Sequence, residues 1–155
     1  MNIRLREVTR ANWEEALEIK GTLQQVTFAP SVAVSLAKVH IKPDGEEVTY
    51  IPFAIYDREQ MVGFIMHAFE EQTIDSYWIN GFIIDEKFQG KGYGKAAFAE
   101  MMRWIQQRHP QCVEVRLTVA KDNQHAKRLY ERFGFVDTDV VYGNEQVYKF
   151  LINQS

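Results

Sequence analysis

The chain holds one cysteine, Cys112, which excludes an internal disulfide and any zinc site built on paired cysteines. Its four histidines, His40, His67, His109 and His125, share no metal-ligand spacing, so no metal is expected. No stretch approaches the roughly 18–20 consecutive apolar residues of a membrane helix, so no membrane partner is expected. Arg4, Arg6 and Glu7 open the chain with no apolar run behind them, which is not the pattern of a secretory signal. A basic excess is also missing. With 18 Lys+Arg against 21 Asp+Glu the net charge is −3, which argues against a nucleic-acid partner. The four prolines and nine glycines are scattered, so neither linker nor low-complexity segment is marked. What remains is 46% hydrophobic and 25% charged over 155 residues, a cytoplasmic globular protein with residues 1–155 as one domain.

Periodicity places the elements. Residues 3–8 partly alternate and suit a first strand. Thr9 and Asn12 are candidate helix caps, Asn12 with Glu15 forming a loosened capping box, and Trp13, Ala16, Leu17 and Gly21 fall on one helical face. Residues 31–39 suit a second short helix after Pro30. Two apolar runs, 51–56 and 61–69, flank the polar residues 57–60 and predict a hairpin. Residues 76–84 read as another strand, with Gly81 a candidate bulge. A long helix over 92–108 carries Ala97, Met101, Trp104 and Ile105 on its core face and ends at His109-Pro110. Strand 113–119, a helix over 123–133 stopped by Gly134, and a hairpin of 135–142 with 146–151 around Gly143-Asn144 complete an α/β domain.

The segment Gln89-Gly90-Lys91-Gly92-Tyr93-Gly94-Lys95 stands between a strand and the long helix. Alternating glycines let backbone N–H groups approach a ligand, and the helix start that follows favours phosphate, with Lys91 and Lys95 adding positive charge. A pyrophosphate-bearing ligand is the natural guest. It is not a Walker A loop, because Asp85 stands where the first glycine belongs and Gly92 follows Lys91. A dinucleotide fingerprint would need glycine at Lys95. Downstream lies Asn123-Gln124-His125-Ala126-Lys127-Arg128-Leu129-Tyr130-Glu131-Arg132-Phe133-Gly134-Phe135.

Together these two segments resemble the GNAT superfamily of acetyl-CoA-dependent N-acetyltransferases over about residues 3–150: the first its Q/R-x-x-G-x-G/A loop, the second its N-x-x-A-x-x-L-Y-x-x-x-G-F pattern. Residues 82–86 (Phe-Ile-Ile-Asp-Glu) and Gly143-Asn144-Glu145 are similar to bacterial spermine/spermidine acetyltransferases. The resemblance implies a central mixed, mostly antiparallel sheet of about seven strands with helices on both faces. It implies acetyl-CoA as cosubstrate, a small-molecule amine (a polyamine such as spermidine or spermine) as acceptor, and it leaves room for a homodimer. Phe82, Ile83 and Ile84 then occupy the strand that pairs with the pantetheine arm, its backbone near Phe82 stabilising the oxyanion. Gln89, Gly90, Lys91, Gly92, Tyr93, Gly94 and Lys95 wrap the pyrophosphate, Asn123 contacts pantetheine, and Tyr130 protonates the departing thiolate. Direct transfer needs no nucleophilic Cys112. Other acceptors (a protein N-terminus, an amino acid, an aminoglycoside) and a non-catalytic CoA-binding module stand as alternatives.

Other residues have plainer readings. Cys112 suits a small structural role, His67 a packed histidine rather than one facing substrate, Trp78 and Trp104 the core. Glu70, Glu71 and Asp75 are the acidic residues best placed to border an acceptor channel for a polycation. Several polyamine acetyltransferases carry a carboxylate two residues before the aromatic corresponding to Phe82. Here that place is Asn80, which leaves the general base unassigned.

Overall fold

A computed structural model describes residues 1–22 and 30–152. Its strands are β1 (Ile3–Glu7), β2 (Val48–Asp57), β3 (Gln60–Glu70), β4 (Tyr77–Ile84), β5 (Glu114–Ala120), β6 (Val136–Tyr142) and β7 (Glu145–Leu151). They form one seven-stranded sheet in the order β1-β2-β3-β4-β5-β7-β6. All neighbours are antiparallel except β4 and β5. The mixed, mostly antiparallel sheet expected from the resemblance is therefore present. The β2–β3 hairpin runs longer than its apolar segments, because pairing from Val48↔Glu70 to Asp57↔Gln60 carries polar end residues into the ladder. β3 lies in mid-sheet with residues 61–69 all buried, so its apolar residues run on without alternation, as a strand covered on both faces requires.

Both faces are covered. α3 (Tyr93–Arg108) and α4 (Gln124–Phe133) pack Phe98, Met101, Ile105 and Tyr130 against Phe53, Ile55, Ile65 and Leu117. α1 (Trp13–Leu17) and α2 (Val32–Ile41) cover the other face, where Ala16 and Val32 meet Ala54, Phe64, Met66 and Ile83. Trp104 and Trp78 are half-buried, each packed on one of these two cores. α3 ends at His109, as the following proline demands.

The first helix departs from its expected form. Only five residues are helical, and of the expected face Ala16 and Gly21 are buried while Trp13 and Leu17 remain 44% and 41% exposed. So short a helix cannot turn two full rows inward, and Ile19, just past its end, supplies the second buried contact instead. The capping box is absent too. Asn12 Oδ1 accepts from Thr9 N–H at 2.8 Å and its Nδ2 donates to the Glu7 carbonyl and the Tyr56 hydroxyl. Asn12 ties β1 to the helix rather than capping it.

Candidate active site

The one parallel pair opens the site. β4 and β5 are paired only at Trp78↔Arg116 and Ile79↔Leu117, and beyond these residues the two strands separate. The gap is a cleft of about 760 Å³, the size of a small-molecule site. Ile79, Asn80, Phe82 and Ile84 line its β4 wall, and Thr118, Val119 and Ala120 its β5 wall. Backbone groups on this edge of β4 are thus offered to a ligand rather than to a neighbouring strand.

A bulge shapes the β4 wall. Phe64 pairs with Ile83 and Met66 with Asn80, so Gly81 and Phe82 together oppose Ile65. Gly81 has φ of +64°, and a Cβ built on it would stand 2.7 Å from the Ser35 hydroxyl of α2. Both the backbone angle and the close helix demand glycine, as in a bulge whose first residue is left-handed.

At the mouth, the glycine loop joins β4 to α3. Asp85 begins it by accepting from the Lys87 and Lys20 N–H groups at 3.0 and 3.2 Å, and Gln89 Nε2 donates to the Ile84 carbonyl. Gly90 and Gly92 take φ of +75° and +84°, and Gly92 caps α3, leaving first-turn N–H groups directed to the cleft end. Nothing stands within 4 Å of a Cβ built at Gly90, and at Gly92 only the Met1 methyl does, at 3.9 Å. The loop is an open cradle, which fits the phosphates of acetyl-CoA. Gln89, Gly90, Gly92, Tyr93, Gly94 and Lys95 line the cleft; Lys91 does not, and its ammonium lies 5.9 Å from the Phe88 ring centroid instead. The Tyr93 phenol donates to Asp57 at 2.7 Å, fastening the helix start to the β2–β3 turn. This bond, with one from the Asn2 N–H, holds the Asp57 carboxyl below its usual range, the Asn2 bond first. Ile83 also turns away, into the core beneath α1 and α2, so it offers only backbone.

The second motif resolves into helix chemistry. Asn123 Oδ1 accepts from Ala126 N–H at 3.2 Å, capping α4 and leaving its Nδ2 as the donor for a ligand. Gly134 stops the helix in the left-handed region, and the Phe135 N–H closes on the Tyr130 carbonyl at 3.0 Å. Phe135 then packs near Tyr130 and Phe98, with ring centroids 6.2 and 5.5 Å away. This caps, stops and locks the helix so that Tyr130 lines the cleft. Tyr130 is 9% exposed, and burial pushes its phenol well above the ordinary value. It therefore keeps its proton at any working pH.

The charge pattern corrects one expectation. None of Glu70, Glu71 and Asp75 lines the cleft; they lie around the β3–β4 turn, at the opposite end of β4, and Asp75 meets Arg116 at 3.7 Å. The described lining instead carries Lys38, Lys95, Arg128 and Arg132 against a single carboxylate, Glu145. Lys38 comes from α2 and the arginines from the exposed side of α4, positions that sequence spacing alone does not bring to one gap. Among the described residues no group of three His, Cys, Asp or Glu could hold a metal.

His67 and Cys112 are buried. The His67 ring is 0% exposed, its Nδ1 donating to the Trp78 carbonyl at 2.8 Å and its Nε2 facing His109 Nε2 at 3.2 Å. Burial brings its pKa down to about 3. Burial likewise pushes the Cys112 thiol up to about 11, which suits packing rather than nucleophilic attack.

Comparison with known proteins places this geometry. A profile of the acetyltransferase (GNAT) family matches residues 7–135. The spermine/spermidine N(1)-acetyltransferase of Bacillus subtilis (strain 168) is 32% identical over 141 residues, covering 87% of this chain and 88% of that one. Among solved structures, spermidine N-acetyltransferase from Vibrio cholerae, in complex with CoA and spermine, has a TM-score of 0.70 at 17% identity, covering 97% and 95% of the two chains. Aminoglycoside acetyltransferase AAC(6')-Ib, in complex with coenzyme A, has a TM-score of 0.76 at 16% identity with the same coverage, 97% and 95%. A family profile over most of the chain, with a relative aligned nearly end to end, shows that the chain belongs to the acetyltransferase (GNAT) family and is an acetyl-CoA-dependent N-acetyltransferase.

Proposed function

We propose that this chain acetylates a primary amine of a small polyamine, spermidine or spermine, by direct transfer. The observation that carries the acceptor is the 32% identity to a spermine/spermidine N(1)-acetyltransferase across 87% of the chain. The aminoglycoside enzyme shares the fold alone, so its acceptor has no comparable support.

Acetyl-CoA supplies an activated acyl thioester. The glycine loop and the start of α3 hold its phosphates, with Lys95 and the α4 arginines as counter-charges. The edge of β4 at Phe82 and Ile84, with Asn123 Nδ2 across the gap, aligns the chain that leads to the thioester. Backbone N–H groups near the bulge face the oxygen that gains charge. Tyr130 donates to the sulfur. A thiol has a reference pKa of about 8.5, so giving a proton from this raised phenol runs downhill only if the phenol is resupplied. The proton shed by the acetylated nitrogen is the available source.

A panel of amines tests the acceptor. With acetyl-CoA and thiol release as the readout, spermidine and spermine should give kcat/KM at least tenfold above neutral-chain alkyl amines, amino acids and an aminoglycoside. Equal rates across the panel would overturn the polyamine assignment while leaving acetyl transfer in place.

A further inference from the structure

Three glycines among the seven residues from Gln89 to Lys95 leave this loop little stiffness of its own. A Cβ built at Gly90 meets nothing within 4 Å and one at Gly92 only the Met1 methyl, so little packs against this backbone. The loop is held at its ends. Asp85 anchors the entry by accepting from the Lys87 and Lys20 N–H groups, and Gln89 donates back to the Ile84 carbonyl. At the exit stands Tyr93, the first helical residue of α3, whose phenol donates to Asp57 Oδ2 at 2.7 Å. Asp57 ends β2, lies outside the cleft lining, and belongs to neither sequence motif.

The other Asp57 oxygen accepts from the Asn2 N–H at 2.9 Å, and the Arg58 N–H donates to the Asn2 carbonyl at 3.1 Å. Ile3 pairs with Asp57 in the sheet, so one carboxylate joins the start of β1, the β2–β3 turn and the start of α3. The turn reaches the loop because β3 runs antiparallel to β4. Gly63 pairs with Ile84, and the Asp85 N–H donates to the Val62 carbonyl at 2.8 Å. The Tyr93 ring meets Phe88 edge-on, with centroids 6.0 Å apart. A bare aspartate beside a phosphate site would repel the ligand, but each oxygen of Asp57 is engaged by a donor.

We infer that Asp57 is a positioning residue for acetyl-CoA: through the Tyr93 phenol it fixes the exit of the glycine loop, so that the backbone N–H groups meet the phosphates already in place. The inference rests on reading that loop as the phosphate cradle, and it adds what orders the cradle. Fixing a glycine-rich backbone costs conformational entropy, and a loop ordered before the ligand arrives does not take that cost from its affinity. The effect therefore belongs to binding. The phosphates take no part in the transfer of the acetyl group, so a grip on them holds ground state and transition state alike and acts on KM, not on kcat.

The test compares Asp57→Ala, Tyr93→Phe and the double variant with the wild type. Acetyl-CoA affinity is read by calorimetry, and kinetics are run with acetyl-CoA and with S-acetyl-pantetheine, a thioester that lacks the pyrophosphate. Each single substitution should raise the Kd and KM for acetyl-CoA by about three- to tenfold, the range of one hydrogen bond, with the loss on KM rather than kcat. The double variant should bind no more than about twofold worse than Asp57→Ala, because both changes remove the same bond. The ratio of kcat/KM for acetyl-CoA to that for S-acetyl-pantetheine should fall by the same factor in Asp57→Ala. A general loss of folded enzyme would leave that ratio where it is. Tyr93→Phe keeps the ring and its contact with Phe88, so it reads the bond even where Asp57→Ala lowers the thermal midpoint. Wild-type acetyl-CoA affinity in either single variant, additive losses in the double variant, or an unmoved ratio would overturn the positioning role alone. Equal kcat/KM of the wild type for the two thioesters would overturn the phosphate cradle beneath it as well.

Discussion

At the residue scale, the acid role proposed for Tyr130 rests on one oxygen. Its ring is held by Phe98, with centroids 5.2 Å apart, and by Phe135, while the hydroxyl has no hydrogen-bond partner among the described residues. Tyr130→Phe should therefore fold as the wild type and lose only the donor to sulfur. General acids contribute about 10²–10⁴-fold, so kcat should fall within that range while the KM for acetyl-CoA changes little. Steady-state kinetics at saturating acetyl-CoA decides this; a kcat within twofold of wild type would show that water serves the leaving sulfur. Asn80 differs in kind, because it lines the cleft through a side chain that the fold has buried. Its Oδ1 is buried with no hydrogen-bond partner among the described residues, and that setting beneath α2 emerges only when β3, β4 and α2 come together.

Among the elements, the glycine loop separates backbone demand from ligand space. Gly92 has φ of +84°, so Gly92→Ala or Gly92→Val strains the loop itself by about 1–2 kcal/mol or more, and a loss of binding there mixes two causes. Gly92→Val therefore disturbs folding and binding together. Gly94 is the cleaner probe. It lies in the first turn of α3, and its added Cβ would meet only Ile84 and Phe82 at an ordinary 3.9 Å. Gly94→Ala should keep or slightly raise the thermal midpoint, since alanine favours the helix by up to about 1 kcal/mol. It should weaken acetyl-CoA binding by about tenfold or more if that face receives the phosphates. Calorimetric titration gives the answer, and unchanged affinity would remove Gly94 from the cradle.

On the scale of the whole molecule, the His67–His109 pair links folding to pH. It joins β3 to the end of α3, inside stacked rings of Phe69 and Tyr77. The His67 pKa falls from 6.5 to about 3 on folding, so the unfolded chain binds the proton more tightly. Stability from this group is full above pH 6.5 and is lost as pH drops towards 3, about 2 kcal/mol by pH 5. His109 shifts the same way, chiefly through burial, with Arg108 adding to it and Glu71 opposing. Urea unfolding at pH 7.5 and pH 5 should show that loss, and His67→Gln should reduce the difference between the two. Equal stabilities for the wild type at both pH values would mean that the unfolded chain holds the proton no better.

Local chemistry made much of this protein legible from sequence. Alternation, glycine stops and helix spacing located the strands and the later helices, because those patterns answer to backbone geometry within a few residues. The two motifs were legible for the same reason: an open glycine loop at a helix start and a capped, stopped helix are each built from one continuous segment. Trp13 and Leu17 were misplaced because the length of α1, rather than apolar spacing, limits what it can bury. Glu70, Glu71 and Asp75 were misplaced because proximity along the chain to the motif strand says nothing about which end of that strand opens. The tertiary structure alone decided where β4 and β5 part, that Lys38 and Glu145 share the resulting gap, and that Ser35 Oγ and Asn80 Oδ1 are buried with no hydrogen-bond partner among the described residues. Those contacts join elements far apart in sequence, and only the closure of the sheet with its helix layers fixes them.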